Sequence, residues 1–243
     1  MNNNRTARFL LVAGGVLAAA SSVALGEIGA GFVAQLGADD VAAAAALSRT
    51  GRNLIQVLDT RADRVVAAQA KLRAQGRYGL VSAALVDSYE PLPYAENLVN
   101  HAIVTRAGAS AKELFRVIAP GGALAVSPAG ALTQAQLGAA GFEGVAASGG
   151  GLTARKPWPS AMDGWSHPRH GADGNAVSDD TAVGPPDRIR WVAGATHEVE
   201  GIVTAGGRNF YGGILARDSF NGLRLWNRDL GRAQSSLASF MLP

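Results

Sequence analysis

Short apolar segments alternate with helical patterns along residues 31–155, and this alternation restricts the possible folds more than any other feature of the sequence. Short apolar runs bounded by glycine or polar residues are typical of buried strands. The segments between them open on capping residues such as Asp39 and Asp40 and close on glycines such as Gly51 and Gly76, as helices do. Strands that alternate with helices form a parallel sheet with helices on both faces. The sequence therefore predicts an α/β domain over residues 27–156.

Four polar or glycine residues are expected along one rim of this sheet. Strands are predicted at 31–37, 53–59, 81–86, 102–104 and 123–126, helices at about 40–51, 60–75, 111–118 and 134–140, and a closing strand pair at 142–147 and 151–155. In such sheets, ligands bind beyond the carboxyl ends of the strands. Gly37, Asp39, Asp59 and Asp87 all lie at or just after the end of a predicted strand. They are therefore the candidate ligand-binding residues.

Composition excludes several kinds of function. The 243 residues include no cysteine, which excludes disulfides, thiolate metal sites and cysteine nucleophiles. The net charge is +3, and the basic residues are scattered without a basic run interleaved with aromatic residues, so no nucleic-acid partner is expected. No Ser-His-Asp or paired-carboxylate arrangement stands at a fixed spacing, so no catalytic residue is assigned.

The N-terminal segment resembles a secretory signal peptide. Arg5 and Arg8 precede an apolar run at 9–20, and small residues at Ala24 and Gly26 suit cleavage after residue 26. The run is short for a membrane span, which needs about 20 apolar residues. The sequence predicts export to the periplasm or the extracellular space, with an uncleaved membrane anchor as the alternative. Contact with a membrane is expected only through this segment.

Two later motifs resemble those of a known family. The run LPYAENLV at 92–99 and the run ELFRVIAPGG at 113–122 are similar to segments of class I S-adenosylmethionine-dependent methyltransferases. The resemblance extends over about 32–156 and implies a Rossmann-like sheet with S-adenosylmethionine as a possible cofactor. It also implies that Asp59 bonds the ribose hydroxyls and that Asp87 lies near the adenine edge. The alternative is that both aspartates are ordinary caps at strand ends.

The loop after the first strand departs from this family. There the family has an acidic residue followed by Gly-x-Gly-x-Gly, because glycines let the backbone approach the cofactor closely. In the sequence QLGADDV at 35–41, only Gly37 remains, while Asp39 and Val41 replace the second and third glycines. We expect the two added side chains to lie where the methionine part of the ligand would bind, although Asp39 can still bond an amino group. The loop therefore indicates a degenerate cofactor site.

Residues 157–200 form a linker rich in proline, glycine and tryptophan, with a strand-like run at 188–192. Two hypotheses apply to the loop that contains His167 and His170. With Asp163 and Asp173 these histidines could form a metal site of imidazole and carboxylate ligands. The favoured hypothesis is a loop whose polar side chains cap its own backbone turns, and no metal ligand is assigned.

The last segment, 201–243, has strand-like runs separated by turns at 206–207 and 219–222. The run ARDSFNGLRLWNRDL at 216–230 resembles the repeat of pyrroloquinoline-quinone (PQQ)-type β-propellers. The complete order resembles exported bacterial proteins that fuse a methyltransferase-like domain to such a propeller. A propeller needs about 4–8 blades to close, so a single blade forms no PQQ site, and the apolar run at 237–242 would remain unpaired. The two alternatives are a truncated blade and a blade that packs elsewhere, and the unpaired run favours truncation.

The sequence thus predicts an exported protein in which a degenerate methyltransferase-like domain and an incomplete propeller act as a binding or scaffold module. Its partner would be an unknown protein or small molecule. One alternative is an active S-adenosylmethionine-dependent methyltransferase of a small-molecule substrate. A second alternative is the N-terminal fragment of a PQQ-type dehydrogenase-like protein.

Overall fold

The structure is a computed structural model that describes residues 29–167, 169–182, 184–185, 189–193, 202–212 and 215–228. The predicted signal peptide at 1–26 and the apolar run at 237–242 lie outside these residues. No helix within the described ranges is both long enough and apolar enough to cross a membrane.

A seven-stranded sheet forms the larger part of the molecule. Its strands are β1 Gly31–Leu36, β2 Asn53–Asp59, β3 Val81–Leu85, β4 Val99–Val104, β5 Ile118–Val126, β6 Glu143–Ser148 and β7 Gly151–Arg155. The order is β3-β2-β1-β4-β5-β7-β6, and β1 to β5 are parallel. The prediction of a parallel sheet is wrong at one edge, where β7 is antiparallel to β5 and β6. A two-residue turn at 149–150 joins β6 to β7, and so short a connection permits only antiparallel pairing.

Helices cover both faces of this sheet, as predicted. They are α1 Ala42–Ser48, α2 Ala62–Ala74, α3 Ala111–Val117 and α4 Gln134–Ala139. On one face, buried residues of α1 and α2, such as Leu72, pack against strand residues such as Val33 and Ile55. On the other face, α3 and α4 pack against a second cluster that includes Leu36 and Leu114. Side-chain caps begin the second pair, because Ser110 accepts from Glu113 N and Thr133 forms a reciprocal capping box with Gln136.

The connection from β3 to β4 covers the sheet without a helix. Residues 86–98 run as a loop whose buried side chains Tyr89, Leu92 and Tyr94 belong to the second cluster. The Tyr94 hydroxyl donates to Gln56 Oε1 at 2.9 Å, which ties the loop to β2. Apolar burial here comes from three side chains of an irregular segment.

A separate antiparallel sheet of four strands follows. Its strands are β8 Ile202–Ala205, β9 Arg208–Tyr211, β10 Leu215–Asp218 and β11 Arg224–Asn227, and each pairs with the next along the chain. The predicted turn at Gly206 and Gly207 is confirmed, since both residues have positive φ, at 53° and 71°. The predicted turn at 219–222 also joins two strands, β10 and β11.

The strand-like prediction at 188–192 is wrong for the described residues 189–192. Ile189 and Val192 are 81% and 83% exposed, so no neighbouring strand covers them. The segment instead contacts two connections through side chains. Arg190 donates to Glu96 O in the loop between β3 and β4 at 2.9 Å, and Trp191 Nε1 donates to Ser219 O in the turn between β10 and β11 at 3.1 Å. Residues 189–192 are therefore held by side-chain hydrogen bonds and not by the backbone pairing that defines a strand.

Candidate functional site

The carboxyl ends of β1, β2 and β4 form the rim on which the candidate residues were expected. Because β1 lies between β2 and β4, the chain changes direction along the sheet at β1, and a crevice forms outside such a point. Gly37 lies at its base with φ +107°, and its N–H donates to Leu58 O at 2.8 Å. A Cβ built on Gly37 would lie 2.3 Å from Thr105 Oγ1, so the loops after β1 and β4 approach each other too closely for a side chain.

Asp59 is fully buried below the crevice and is bonded to backbone groups. Its Oδ2 accepts from Ala38 N at 2.8 Å, and its Oδ1 accepts from Arg61 N at 3.0 Å. The Tyr89 hydroxyl lies nearby and donates to Leu58 O at 3.2 Å. Burial, together with the charge of Asp59, raises the pKa of Tyr89 to about 12. The two carboxylate oxygens of Asp59 therefore bind backbone groups of the loops after β1 and β2.

Asp39 is half-exposed and pairs with two arginines from different elements. Its Oδ1 lies 3.0 Å from Arg64 Nε in the first turn of α2, and its Oδ2 accepts from Arg106 Nη2 in the loop after β4. Arg64 Nη1 also lies 3.8 Å from Asp59 Oδ1. One carboxylate thus connects the loops that follow β1, β2 and β4. The hydrogen bond to Asp39 also raises the pKa of Arg106.

The structure brings Gly37, Asp39 and Asp59 together but leaves Asp87 apart. Asp87 is exposed beyond the end of β3, and no described hydrogen bond or ion pair links it to the other three residues. It lies on the predicted rim and is free to meet solvent or a ligand.

The prediction that Val41 fills ligand space is wrong. Val41 is buried in the core cluster beneath α1, beside residues such as Ala44 and Val57. The side chain turns inward because α1 begins at the next residue and packs this face on the sheet. Of the two residues that replace glycines, only Asp39 lies on the crevice side.

Three further residues at the rim were not among the candidates predicted from the sequence. Gln35 is fully buried, and its Nε2 donates to Gly37 O at 2.9 Å and to Asp40 O at 2.7 Å, while its Oε1 has no partner. Arg64 and Arg106 are the other two. Only their positions shortly after β2 and β4 could have indicated from the sequence that these two arginines lie at the rim.

These residues do not fit S-adenosylmethionine as the rim stands. Asp59, which the resemblance assigns to the ribose hydroxyls, has both oxygens bonded to backbone N–H groups and is covered by Arg64. Gln35 stands at the acidic position of the family and bonds its own loop. Asp39 is paired with two arginines, which offset its charge and so weaken its attraction for an amino group. These contacts hold the loops after β1, β2 and β4 against one another.

A groove of about 910 Å³ adjoins the crevice. It begins at Ala107, directly after Arg106, and runs between α3 and α4. Phe115 and Leu132 supply apolar lining, while Glu90 and Lys112 are charged lining residues. Both oxygens of Glu90 are already bonded to Ser110, through its N–H and its hydroxyl.

The histidine loop is organised by Asp163. Its Oδ2 lies 2.6 Å from His170 Nε2 and accepts from Ser178 Oγ and Asp179 N. The backbone donor of Asp179 is the largest cause that lowers the pKa of Asp163, to about 2. His167 Nδ1 bonds Ser166 instead, and Asp173 accepts from Asn175 N. These contacts are those of a loop that caps its own backbone, and no group of three or more histidine or carboxylate residues within the described ranges could hold a metal.

Solved structures that match part of this chain include S-adenosylmethionine-dependent methyltransferases. One from Aquifex aeolicus is 18% identical, with a TM-score of 0.44, over 54% of this chain and 85% of that one. One from Methanococcus maripaludis is 12% identical, with a TM-score of 0.44, over 55% of this chain and 80% of that one. The [4+2]-cyclase SpnF is 19% identical, with a TM-score of 0.45, over 54% and 77%. No family model and no curated protein matches the chain.

Proposed function

We propose that this chain is an exported protein whose methyltransferase-like domain is a non-catalytic binding or scaffold module. The observation that carries the proposal is the state of Asp59, which is fully buried with both carboxylate oxygens bonded to backbone N–H groups. A carboxylate in this state has no exposed surface on which a ribose hydroxyl could reach its remaining lone pairs. The closed contacts of Gln35 and Asp39 support the same conclusion.

The export and propeller parts of the proposal have their own support. Arg5, Arg8 and the small residues before position 27 favour a signal peptide and delivery to the periplasm or beyond. The four antiparallel strands β8 to β11, paired in chain order, suit one blade of a PQQ-type propeller. The partner of such a module is a protein or a small molecule.

Equilibrium dialysis of the full chain against methyl-labelled S-adenosylmethionine tests the proposal. We expect no retention of label at concentrations up to about 1 mM, which corresponds to less than about 4 kcal/mol of binding free energy. A circular dichroism spectrum typical of a mixed α/β fold serves as the folding control. Retention with a low-micromolar dissociation constant would overturn the proposal.

An active methyltransferase of a small-molecule substrate is the second candidate. The groove that begins at Ala107 favours it, because an apolar groove beside the crevice is where a second small molecule could meet a bound cofactor. The same dialysis separates the two candidates, since only this one requires the cofactor to bind.

A further inference from the structure

Two connections at one end of the larger sheet carry an excess of positive charge. Because β1, β2 and β3 are parallel, the connections from α1 to β2 and from α2 to β3 both lie at the amino ends of the strands. Within 41–58 and 64–86 the chain contains no Asp or Glu. In or beside the two connections it has five cations, which are Arg49, Arg52, Lys71, Arg73 and Arg77. We call the surface formed by these five residues the basic end.

Neighbouring side chains do not neutralise the basic end. No ion pair within the described ranges involves any of its five cations, and all of them except Arg77 are exposed. The acidic residues of this half of the domain stand at the opposite rim, and they are Asp39, Asp40, Asp59, Asp63 and Asp87. This separation of charge orients the domain with its basic end toward a negatively charged partner.

Apolar side chains are exposed beside these cations. Ile55 N donates to Leu80 O at 2.9 Å, so the amino ends of β2 and β3 lie side by side. Ile55 and Val81 pair and face α1 and α2, and alternation along a strand turns the preceding residues, Leu54 and Leu80, to the other face. There the two leucines are 42% and 45% exposed. The four-stranded sheet attaches at β1 and β4, and so it leaves both leucines uncovered.

Tyr78 adds an aromatic ring to the same end. It is exposed just before β3, and Arg73 Cζ lies 4.5 Å from the centre of its ring. Cations in the last turn of a helix, such as Lys71 and Arg73, stabilise the helix dipole. That role explains neither the exposed leucines nor Arg52, which lies next to β2 and belongs to no helix. Cations beside exposed leucine and tyrosine suit an anionic bilayer, because the cations attract lipid phosphates and the apolar groups enter the interface.

The start of β1 lies at the same end of the sheet. Gly31 is the first residue of β1, and its N–H donates to Arg52 O at 3.1 Å, so residues 1–28 join the domain at the basic end. The apolar run at 9–20 precedes Gly29 by nine positions, a length of chain that spans at most about 30 Å. While this run lies in a membrane, it therefore holds the basic end close to the bilayer.

We propose that the basic end, together with Leu54, Tyr78 and Leu80, is a docking surface for membranes that contain anionic phospholipids. The proposal goes beyond the scaffold role, because it extends membrane contact from the N-terminal segment to the folded domain. It also directs the carboxyl ends of the strands, with their crevice and groove, away from the bilayer.

Co-sedimentation of the full chain with vesicles tests the charged part of this surface. We expect tighter binding to phosphatidylcholine vesicles that contain phosphatidylglycerol than to phosphatidylcholine alone, and weaker binding as NaCl is added. The double variant Arg52→Gln/Arg73→Gln should lose about 25-fold in affinity for the anionic vesicles, about fivefold for each cation. The N-terminal segment is the same in every protein compared, so the difference reports the basic end.

The matched control is Arg61→Gln/Lys112→Gln, which removes the same charge at the opposite rim. It should lose less than about threefold, because charges there lie farther from the bilayer than a Debye length. Circular dichroism of each protein serves as the folding control. Equal losses in the two double variants, or equal wild-type binding to neutral and anionic vesicles, would overturn the proposal.

Two leucines of one strand test the apolar part. Leu80 and Leu85 are similarly exposed, at 45% and 54%, but they stand at opposite ends of β3. We expect Leu80→Ala to bind anionic vesicles about threefold or more weakly and Leu85→Ala to bind as the wild type does. Soluble polyglutamate distinguishes an acidic protein partner from a membrane. Binding of polyglutamate as tight as that of vesicles, with no loss in Leu80→Ala, would contradict the membrane.

A fluorophore locates the bound surface directly. Because the chain contains no cysteine, Leu80→Cys and Leu85→Cys each accept one environment-sensitive dye. We expect anionic vesicles to shift the emission of the dye to the blue at position 80 and to leave it unchanged at position 85. Water-like emission at position 80 in the vesicle-bound protein would overturn the proposal. Neither measurement involves S-adenosylmethionine, so this failure is distinguishable from failure of the proposed function.

Discussion

The carboxylate of Asp218 accepts a hydrogen bond from Asn100 Nδ2 at 2.7 Å and so joins two sheets across 118 positions of sequence. Asn100 Oδ1 in turn accepts from Phe32 N at 2.7 Å and from Asn221 Nδ2 at 2.8 Å. These contacts attach the turn between β10 and β11 to the amino ends of β1 and β4, opposite the rim that carries Asp39 and Asp59. The ring of Phe220 contacts Trp158 beside them, with centroids 5.9 Å apart.

We expect Asp218→Ala to lower the free energy of unfolding by about 3 kcal/mol. The substitution leaves Asn100 Nδ2 and the backbone N–H groups of Phe220 and Asn221 without their acceptor in a site that is 6% exposed. Urea denaturation of the full chain measures the change. The exposed Asp87→Ala is the matched control, and a loss of less than about 0.5 kcal/mol in Asp218→Ala would show that the cluster contributes little.

The strands were largely predictable from local pattern. Strand β2 occupies the predicted residues 53–59, and β7 occupies 151–155. Strand β5 begins earlier than predicted, at Ile118, although Pro120 and two glycines follow. It does so because Ile118 pairs with Val99 and a register shift then absorbs the intervening residues before Ala123 pairs with His101. Pro120 and the two glycines indicate a break in the strand, whereas pairing with β4 decides that the strand starts at Ile118.

The rim was predictable in position but not in its contacts. The predicted ends of β1 and β2 were enough to place Gly37, Asp39 and Asp59 at the rim, because residues that follow parallel strands lie at the same edge of the sheet. The pairing of Asp39 with Arg106 depends on the spatial order of β1 and β4, which sequence spacing does not specify. The inward turn of Val41 depends likewise on how α1 packs. Long-range packing therefore decides what the loop residues do.

Gly37→Ala is expected to destabilise the fold by about 3 kcal/mol, the sum of backbone strain and overpacking. An alanine would hold φ near +107° and place its Cβ against Thr105 Oγ1, which already donates to Leu36 O at 2.8 Å. Gly51→Ala is the control, with φ +66° but open space around the added atom, and costs only about 1 kcal/mol. Thermal denaturation compares the two, and equal losses would mean that contact with Thr105 is unimportant.

Lys156→Met is expected to cost about 3 kcal/mol, because it removes the donor to three buried or half-buried acceptors. Lys156 Nζ donates to Asn97 Oδ1 at 2.6 Å, to Phe115 O at 2.7 Å and to Ile118 O at 2.9 Å. Methionine retains the length of the side chain but satisfies none of these groups. The exposed Lys112→Met should change stability by less than about 0.5 kcal/mol. Similar urea midpoints for the two variants would contradict this assignment.

The stability of the domain is expected to fall as the pH decreases from 6.5 to 4, partly through His101. Burial, and secondarily the charge of Arg155, lower the pKa of His101 to about 4. The unfolded chain, with a pKa near 6.5, therefore binds a proton before the folded chain does, and acid favours unfolding by up to about 2–3 kcal/mol. Urea denaturation at several pH values measures the slope.

His101→Leu should flatten this pH dependence by the same amount, because the unfolded variant no longer takes up the proton. Its stability at neutral pH should fall by no more than about 1 kcal/mol, because the buried Nδ1 of His101 has no hydrogen-bond partner and the ring loses one hydrogen bond to the backbone of Gly29. Arg155→Gln removes a charge that opposes protonation and should flatten the slope only in part. An unchanged slope in His101→Leu would assign the acid sensitivity to other groups.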